Sequence, residues 1–183
     1  MDEAPWSKLK AEVYSLFGRN PGSNRLVVRT AGLEAHQVVL DVGCGPGAAV
    51  RGAAPSVAQA IGIDRSAAMI DIARRRSSQL DNVAYHVAGA EDLPFDPSSI
   101  DLAWTIHAFH HWEHPDAGLS QMLRVLRPGG RFLIVESETK GAHGLTRTAA
   151  DGVAERLEDV GFAAAHVSQH RKHLVITGTA AGD

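Results

Sequence analysis

The sequence predicts an α/β fold in which a mostly parallel sheet is covered by helices on both faces. Three observations carry this. Short apolar runs rich in β-branched residues alternate with amphipathic stretches along most of the chain, and a parallel strand buried on both faces reads as such a run. The first run, Val38 to Asp41, empties through Val42 into the glycine turn Gly43-Cys44-Gly45-Pro46-Gly47, which is the order of a strand, a ligand loop and a helix start. The last two runs, Phe162 to Val167 and His173 to Thr177, are separated by the polar stretch Gln169 to Lys172. That connection is too short for a parallel crossover and predicts an antiparallel hairpin. With 183 residues, 44% of them hydrophobic, the chain suits one domain over residues 1–183.

The elements follow in order. Trp6, Leu9, Val13, Leu16 and Phe17 recur at helical spacing and stop at Gly18 and Asn20-Pro21-Gly22. Ser23 or Asn24 caps a second short helix through Leu26, Val27 and Ala31, ended by Gly32. This N-terminal stretch, residues 1–36, either plugs one side of the core or lids the ligand site. A helix of small residues is expected from Gly47 to Ser56, weakened by Gly52 and ended near Pro55. A second strand, Ala58 to Ile63, runs into Asp64, and Ser66 caps a helix that turns Ala68, Met69, Ile72 and Ala73 inward. Strands are expected at Val83 to Val87 and Ile100 to Ile106, joined through the polar turn Glu91 to Ser99. Asp116 can cap a helix with Leu119, Met122, Leu123 and Leu126 on one stripe. Arg127-Pro128-Gly129-Gly130 reads as a sharp reversal into a fifth strand, Arg131 to Val135. A last helix spans Thr148 to Val160 and ends at Gly161.

Composition excludes several classes of function. A formal net charge of -3 argues against a nucleic-acid partner, since neutralising phosphates takes a dense basic face. Arg74-Arg75-Arg76 and Arg171-Lys172 read as solvated ends. The single cysteine, Cys44, permits no internal disulfide and fits a small residue filling a crowded turn in a reducing compartment. No apolar stretch approaches the roughly 20 residues of a membrane span. The acidic start Met1-Asp2-Glu3 is unlike a signal peptide, so a cytoplasmic protein without membrane association is expected.

The glycine loop alone admits two cofactors. Gly43 to Ala48 also satisfies G-x-G-x-x-A, and Asp64 follows at the distance a dinucleotide fingerprint requires. Asp41, an acid just before the first glycine, separates the two. A carboxylate there repels a pyrophosphate and attracts an ammonium or sulfonium group. S-adenosylmethionine (SAM) carries both cations and no phosphate.

Five linked motifs then stand in order: Asp41 to Gly47, Gly62-Ile63-Asp64-Arg65-Ser66, Glu91-Asp92-Leu93-Pro94-Phe95, His110-His111 and Leu126-Arg127-Pro128-Gly129-Gly130. On these residues the chain resembles the class I SAM-dependent methyltransferases over about Val38 to Val135. The resemblance implies a Rossmann-like, seven-stranded, mostly parallel sheet with an antiparallel C-terminal hairpin, SAM as cofactor, and methyl transfer to a small-molecule acceptor. It further implies that Gly43, Cys44, Gly45 and Gly47 underlie the methionine and ribose of SAM, with Asp41 facing the ammonium. Asp64 takes the ribose hydroxyls and Arg65 and Met69 lie along the adenine. Ala90 offers a backbone N–H to the adenine, Ile106 a carbonyl to the ammonium, and His107 follows it at the cofactor. One departure stands out. Where relatives carry an acid or amide for the adenine amino group, this chain has Gly89, in Ala88-Gly89-Ala90-Glu91. Glu91, Asp92 or water takes that role, or adenine is held less tightly.

His107, His110, His111 and His114 have helical i, i+3, i+4 and i+7 spacing, which invites a metal reading. The segment leaves a strand at Ile106 and meets Pro115, so only part of it can be helical, and no carboxylate or cysteine completes a clear ligand set. No metal is expected. His110 and His111 instead stand at the mouth of the site as candidate catalytic residues, one accepting the acceptor's proton or orienting it, or else His111 only packs in the loop. Trp104 and Trp112 read as core and loop anchors. Only Glu136 to Arg147 separates the fifth strand from the last helix, and Gly141-Ala142-His143-Gly144 within it reads as a mobile turn. An acceptor site open within one chain follows, closed by the N-terminal helices, by a second subunit of a homo-oligomer, or by a large substrate. Two alternatives stand beside methyl transfer: a SAM-binding protein without catalysis, and a nicotinamide-dependent oxidoreductase, against which Asp41, Gly47 and the terminal hairpin count.

Overall fold

The computed structural model of the chain describes residues 21–139 and 143–182. The helix expected over Trp6 to Phe17 lies outside them, as does the centre of the turn after the fifth strand. Seven strands form one sheet: β1 (Val38–Val42), β2 (Gln59–Asp64), β3 (Val83–Val87), β4 (Ile100–Ile106), β5 (Leu126–Ser137), β6 (Phe162–His170) and β7 (His173–Ala180). Their order is β3-β2-β1-β4-β5-β7-β6. The first five are parallel and β7 inserts antiparallel between β5 and β6, as the short connection at Arg171-Lys172 requires.

The helices are α1 (Pro21–Thr30), α2 (Ala48–Ala53), α3 (Ala67–Arg76), α4 (Pro115–Val125) and α5 (Arg147–Val160). Strand alternation sends side chains into two cores. Leu40, Ala103, Phe132 and Ile134 meet Leu119 and Met122 of α4 and Leu157 of α5 on one face. Val39, Leu102, Trp104, Leu133 and Val135 meet Val27 of α1, Val50 of α2 and Ile70 of α3 on the other. Both faces of the central strands are therefore covered, which explains why those strands read as continuous apolar runs.

Several local expectations hold in detail. The Ser66 hydroxyl accepts from the Met69 N–H at the start of α3, and Gly161 closes α5 in the left-handed region, φ 115°. Others are corrected. Ser23 and Asn24 lie inside α1, which spans Pro21–Thr30, and the Ser23 hydroxyl hydrogen-bonds His107 Nε2. Asp116 lies within the first turn of α4, with His114 at the cap position and Pro115 at the first helical residue, where a missing N–H costs nothing. The stretch Arg127 to Gly130 is a bulge rather than a reversal. Leu126 pairs with Ile100 and Arg131 with Leu102, so four residues loop out opposite Asp101 alone, and Arg127 clamps the bulge by its ion pair to Asp101.

Candidate functional site

In a parallel sheet the carboxyl ends of all strands lie along one edge, and ligands gather there. The ends of β1, β2, β4 and β5 bring the glycine loop, Asp64, the segment Ile106 to His111 and Glu136 to that edge. A groove lined by Val38, Gln59, Ile61 and Ile100 lies at the amino ends and belongs to no part of this constellation.

The loop is built from backbone. Gly43, Gly45 and Gly47 all have positive φ (73°, 50° and 74°), conformations that a Cβ would strain. Space is short as well. A Cβ at Gly43 would stand 2.6 Å from the Ala108 Cβ, and one at Gly47 2.5 Å from the Tyr85 hydroxyl. The N–H groups of Gly43 and Cys44 both donate to the Ile63 carbonyl at 2.9 Å, and Tyr85 is pinned from below by Ser77 at 2.8 Å. Cys44 is buried with its sulfur toward Gly62. Burial and the nearby carboxylates push its thiol pKa well up, so it fills space and is no nucleophile.

The two acids differ in environment. Asp64 divides its carboxylate between two backbone donors, the Gly45 N–H to Oδ2 at 2.9 Å and the Ser66 N–H to Oδ1 at 2.8 Å. Burial raises its pKa against the pull of those two bonds. Each oxygen keeps a further lone pair for a ligand. Asp41 is 3% exposed, and burial pushes its pKa up to about 7, the Trp104 indole N–H pulling the other way and the Asp64 charge adding to the rise. A carboxyl so desolvated is poised to ionise when a cation arrives beside it.

At the outer end, Arg65 bridges two acids, donating from Nη2 to Glu91 Oε2 and from Nη1 to Glu113 Oε1, each at 2.7 Å. This explains Gly89. A Cβ there would stand 2.9 Å from Arg65 Nε and 3.0 Å from Glu91 Oε2, so the Arg65–Glu91 pair occupies the volume into which a side chain at position 89 would project. Burial opposes the charge on Glu91, but its own backbone N–H and Arg65 outweigh that and hold its pKa low. Its second oxygen, Oε1, is buried without a hydrogen-bond partner. Met69 and Ala90 are buried at 5% exposure beside this cluster's elements.

Beyond β4 the histidines do not share a helical face. His107 is left-handed, φ 52°, and only Phe109–His111 forms a single 3₁₀ turn, so His114 is carried away to the start of α4. The strained His107 is held at three points: its N–H to the Val135 carbonyl at 2.9 Å, Nε2 against the Ser23 hydroxyl at 2.7 Å, and Nδ1 3.6 Å from Glu136. Glu136 is fully buried, and both its oxygens lie 3.1 Å from His110 Nδ1. The His110 ring stacks obliquely 4.0 Å from that of His111 and 6.2 Å from His143. Trp104 is fully buried and Trp112 stacks on Phe132, both anchors. Glu136, Glu113 and His143 were not among the site residues that the sequence singled out, and Ser23 entered there only as a helix cap. Glu136 had a signal: like Asp41 and Asp64, it is an acid at the carboxyl end of a buried apolar run.

A methyltransferase domain family matches residues 40–134. The chain is 32% identical over 140 residues to an uncharacterized methyltransferase, YcgJ, of Bacillus subtilis, covering 74% of this chain and 54% of that protein. It is 33% identical over 167 residues to the 27-O-demethylrifamycin SV methyltransferase of Amycolatopsis mediterranei, covering 83% of this chain and 58% of that one. The chain thus spans about half the length of these curated relatives. A crystal structure titled as a putative S-adenosyl-L-methionine-dependent methyltransferase from Methanococcus maripaludis superposes with a TM-score of 0.83 at 15% identity, covering 100% of this chain and 97% of that one.

Proposed function

The chain belongs to the methyltransferase domain family matched over residues 40–134, and on that premise we propose that it is a SAM-dependent methyltransferase acting on a small-molecule acceptor. The single observation that carries the reading is the Asp41 carboxyl, 3% exposed, behind a loop in which Gly43 and Gly47 leave no space for a Cβ. A pyrophosphate would have to approach this acid, whereas an ammonium or sulfonium group would neutralise it.

The residues fit the cofactor. Asp41 faces the ammonium and the backbone of Gly43 to Gly47 underlies the methionine and ribose, with the Ile106 carbonyl and His107 closing the far side. Asp64 receives the ribose hydroxyls on the lone pairs that Gly45 and Ser66 leave open. Arg65 and Met69 flank the adenine, and the unpartnered Glu91 Oε1 takes the amino group that Gly89 cannot. When bound, SAM supplies an electrophilic methyl group on a sulfonium.

The remaining tasks fall to the chain: holding the acceptor in line at about 3–3.5 Å and excluding water. His110 suits the proton chemistry. Glu136 accepts from Nδ1–H, which leaves the Nε2 lone pair free to take a proton from the acceptor or to orient it, with His111 beside it. The name of the rifamycin methyltransferase relative makes a hydroxyl oxygen one acceptor class to include. Transfer of a labelled methyl from SAM to a panel of hydroxyl, amine, thiol and carbon acceptors tests the reading. Labelling of one class supports it, and SAM binding without transfer to any favours a non-catalytic binding protein.

A further inference from the structure

His110, His111 and His143 converge at the acceptor side of the carboxyl edge, each offering a ring nitrogen within 4.8 Å of the other two. We propose that these three histidines bind one divalent transition-metal ion of the zinc class, with Glu136 as the carboxylate that orients His110. This rests on the methyltransferase reading only for its purpose; the site itself stands on four observations.

First, the buried Nε2 of His110 has no hydrogen-bond partner, an arrangement that costs about 1–3 kcal/mol unless a ligand fills it. Second, Glu136, fully buried, lies 3.1 Å from His110 Nδ1. That fixes the Nδ1–H tautomer and the ring's orientation, as carboxylates do behind metal-bound histidines. Third, His111 and His143 are exposed, so an ion can enter from solvent. Fourth, three neutral imidazoles without a fourth protein ligand match an open tetrahedral site, in which one position is left for a water or a substrate. Metal–nitrogen bonds of about 2.0–2.1 Å place tetrahedral ligands about 3.3 Å apart, so the cluster must contract. Rotation of the two exposed rings toward the fixed His110 accomplishes this.

The expectation of no metal rested on the segment His107 to His114, whose one carboxylate, Glu113, is taken by Arg65. The fold supplies the missing parts from elsewhere, Glu136 from β5 and His143 from the turn after it, while His107 and His114 stay out of the ligand set. At this position the ion serves methyl transfer as a Lewis acid. Such an ion would make an acceptor X–H held in the open position more acidic, so that its proton would pass to a solvent water before the site is closed to water. The X lone pair then forms the X–CH₃ bond while the sulfur–methyl bond breaks and sulfur keeps the pair. No electron is gained or lost by the metal. His110 in that case acts through the ion rather than as a base.

The test is Co²⁺ titration of the full, untagged chain after chelation, read by the visible absorption of four-coordinate Co²⁺, with metal content measured after dialysis. One equivalent with the tetrahedral spectrum is expected. His143→Ala, an exposed change that leaves the fold intact, and His110→Gln should each weaken binding at least about tenfold, and His114→Ala should not. Equal binding by all four proteins, an octahedral spectrum, or no retained metal overturns the proposal. S-adenosylhomocysteine titrated calorimetrically into the same proteins reads the cofactor site separately: failure there sinks the methyltransferase reading and leaves the metal result standing.

Discussion

The carboxyl edge of the sheet has two halves built on different principles. The half at β1 and β2 is made of backbone: three glycines at positive φ, carbonyls and N–H groups closed on one another, and Asp64 bracing Gly45 and Ser66. All of it comes from two short stretches, Asp41 to Gly47 and Gly62 to Ser66. The half at β4 and β5 is made of side chains gathered from four separate segments: Ser23, His107 to His111, Glu136 and His143. The first half can be fixed once and kept, because the cofactor is always the same. The second can change its reach with any one of its segments, which is what a site for varied acceptors needs.

The largest expected effect breaks the first half. Asp64→Ala removes the ribose acceptor and strands two N–H groups, each worth about 1–3 kcal/mol. Affinity for S-adenosylhomocysteine should fall about a hundredfold, and the melting temperature should fall with it. Lost affinity at unchanged melting temperature would mean that Asp64 does not brace the loop. Asp41→Asn should separate binding from stability. Losing the charge-assisted contact costs about 1.5–3 kcal/mol of binding. Stability should move the other way at pH 8. The Asp41 pKa is raised from 3.8 to about 7, so its contribution to folding is fully present below the unfolded value and lost as pH rises through 7. Asparagine escapes that loss. In the native chain, affinity should weaken by up to about tenfold per unit as pH falls below 7, and the variant should lose that slope; chemical denaturation and calorimetry across pH check both. The smallest effect sharpens the boundary of the first half. In Gly89→Asp, Arg65 captures the new carboxylate, so affinity should change by less than about 1 kcal/mol. A gain of tenfold or more would show the adenine reaching past Arg65.

The same division explains what was legible in the sequence. The alternation of strands and helices and the terminal hairpin followed from apolar runs and connection lengths, and the Asp41–Gly47 and Asp64 placements from spacing, because each depends on neighbours along the chain. The bulge at Arg127 to Gly130 was misread because a glycine-proline turn and a wide bulge use the same residues, and only pairing with β4 distinguishes them. Ser23 looked like a cap by residue type; its true partner is 84 positions away. The reason for Gly89 was equally hidden, since it lies in a pair between Arg65 and Glu91 that no local pattern encodes.

Calorimetric titration of S-adenosylhomocysteine into the full chain, with NAD in a parallel arm, tests the central claim most directly. One site per chain with micromolar or tighter affinity, and no heat from NAD, is the expected result. Binding of NAD in preference, or no binding of S-adenosylhomocysteine at high micromolar concentration, would contradict it.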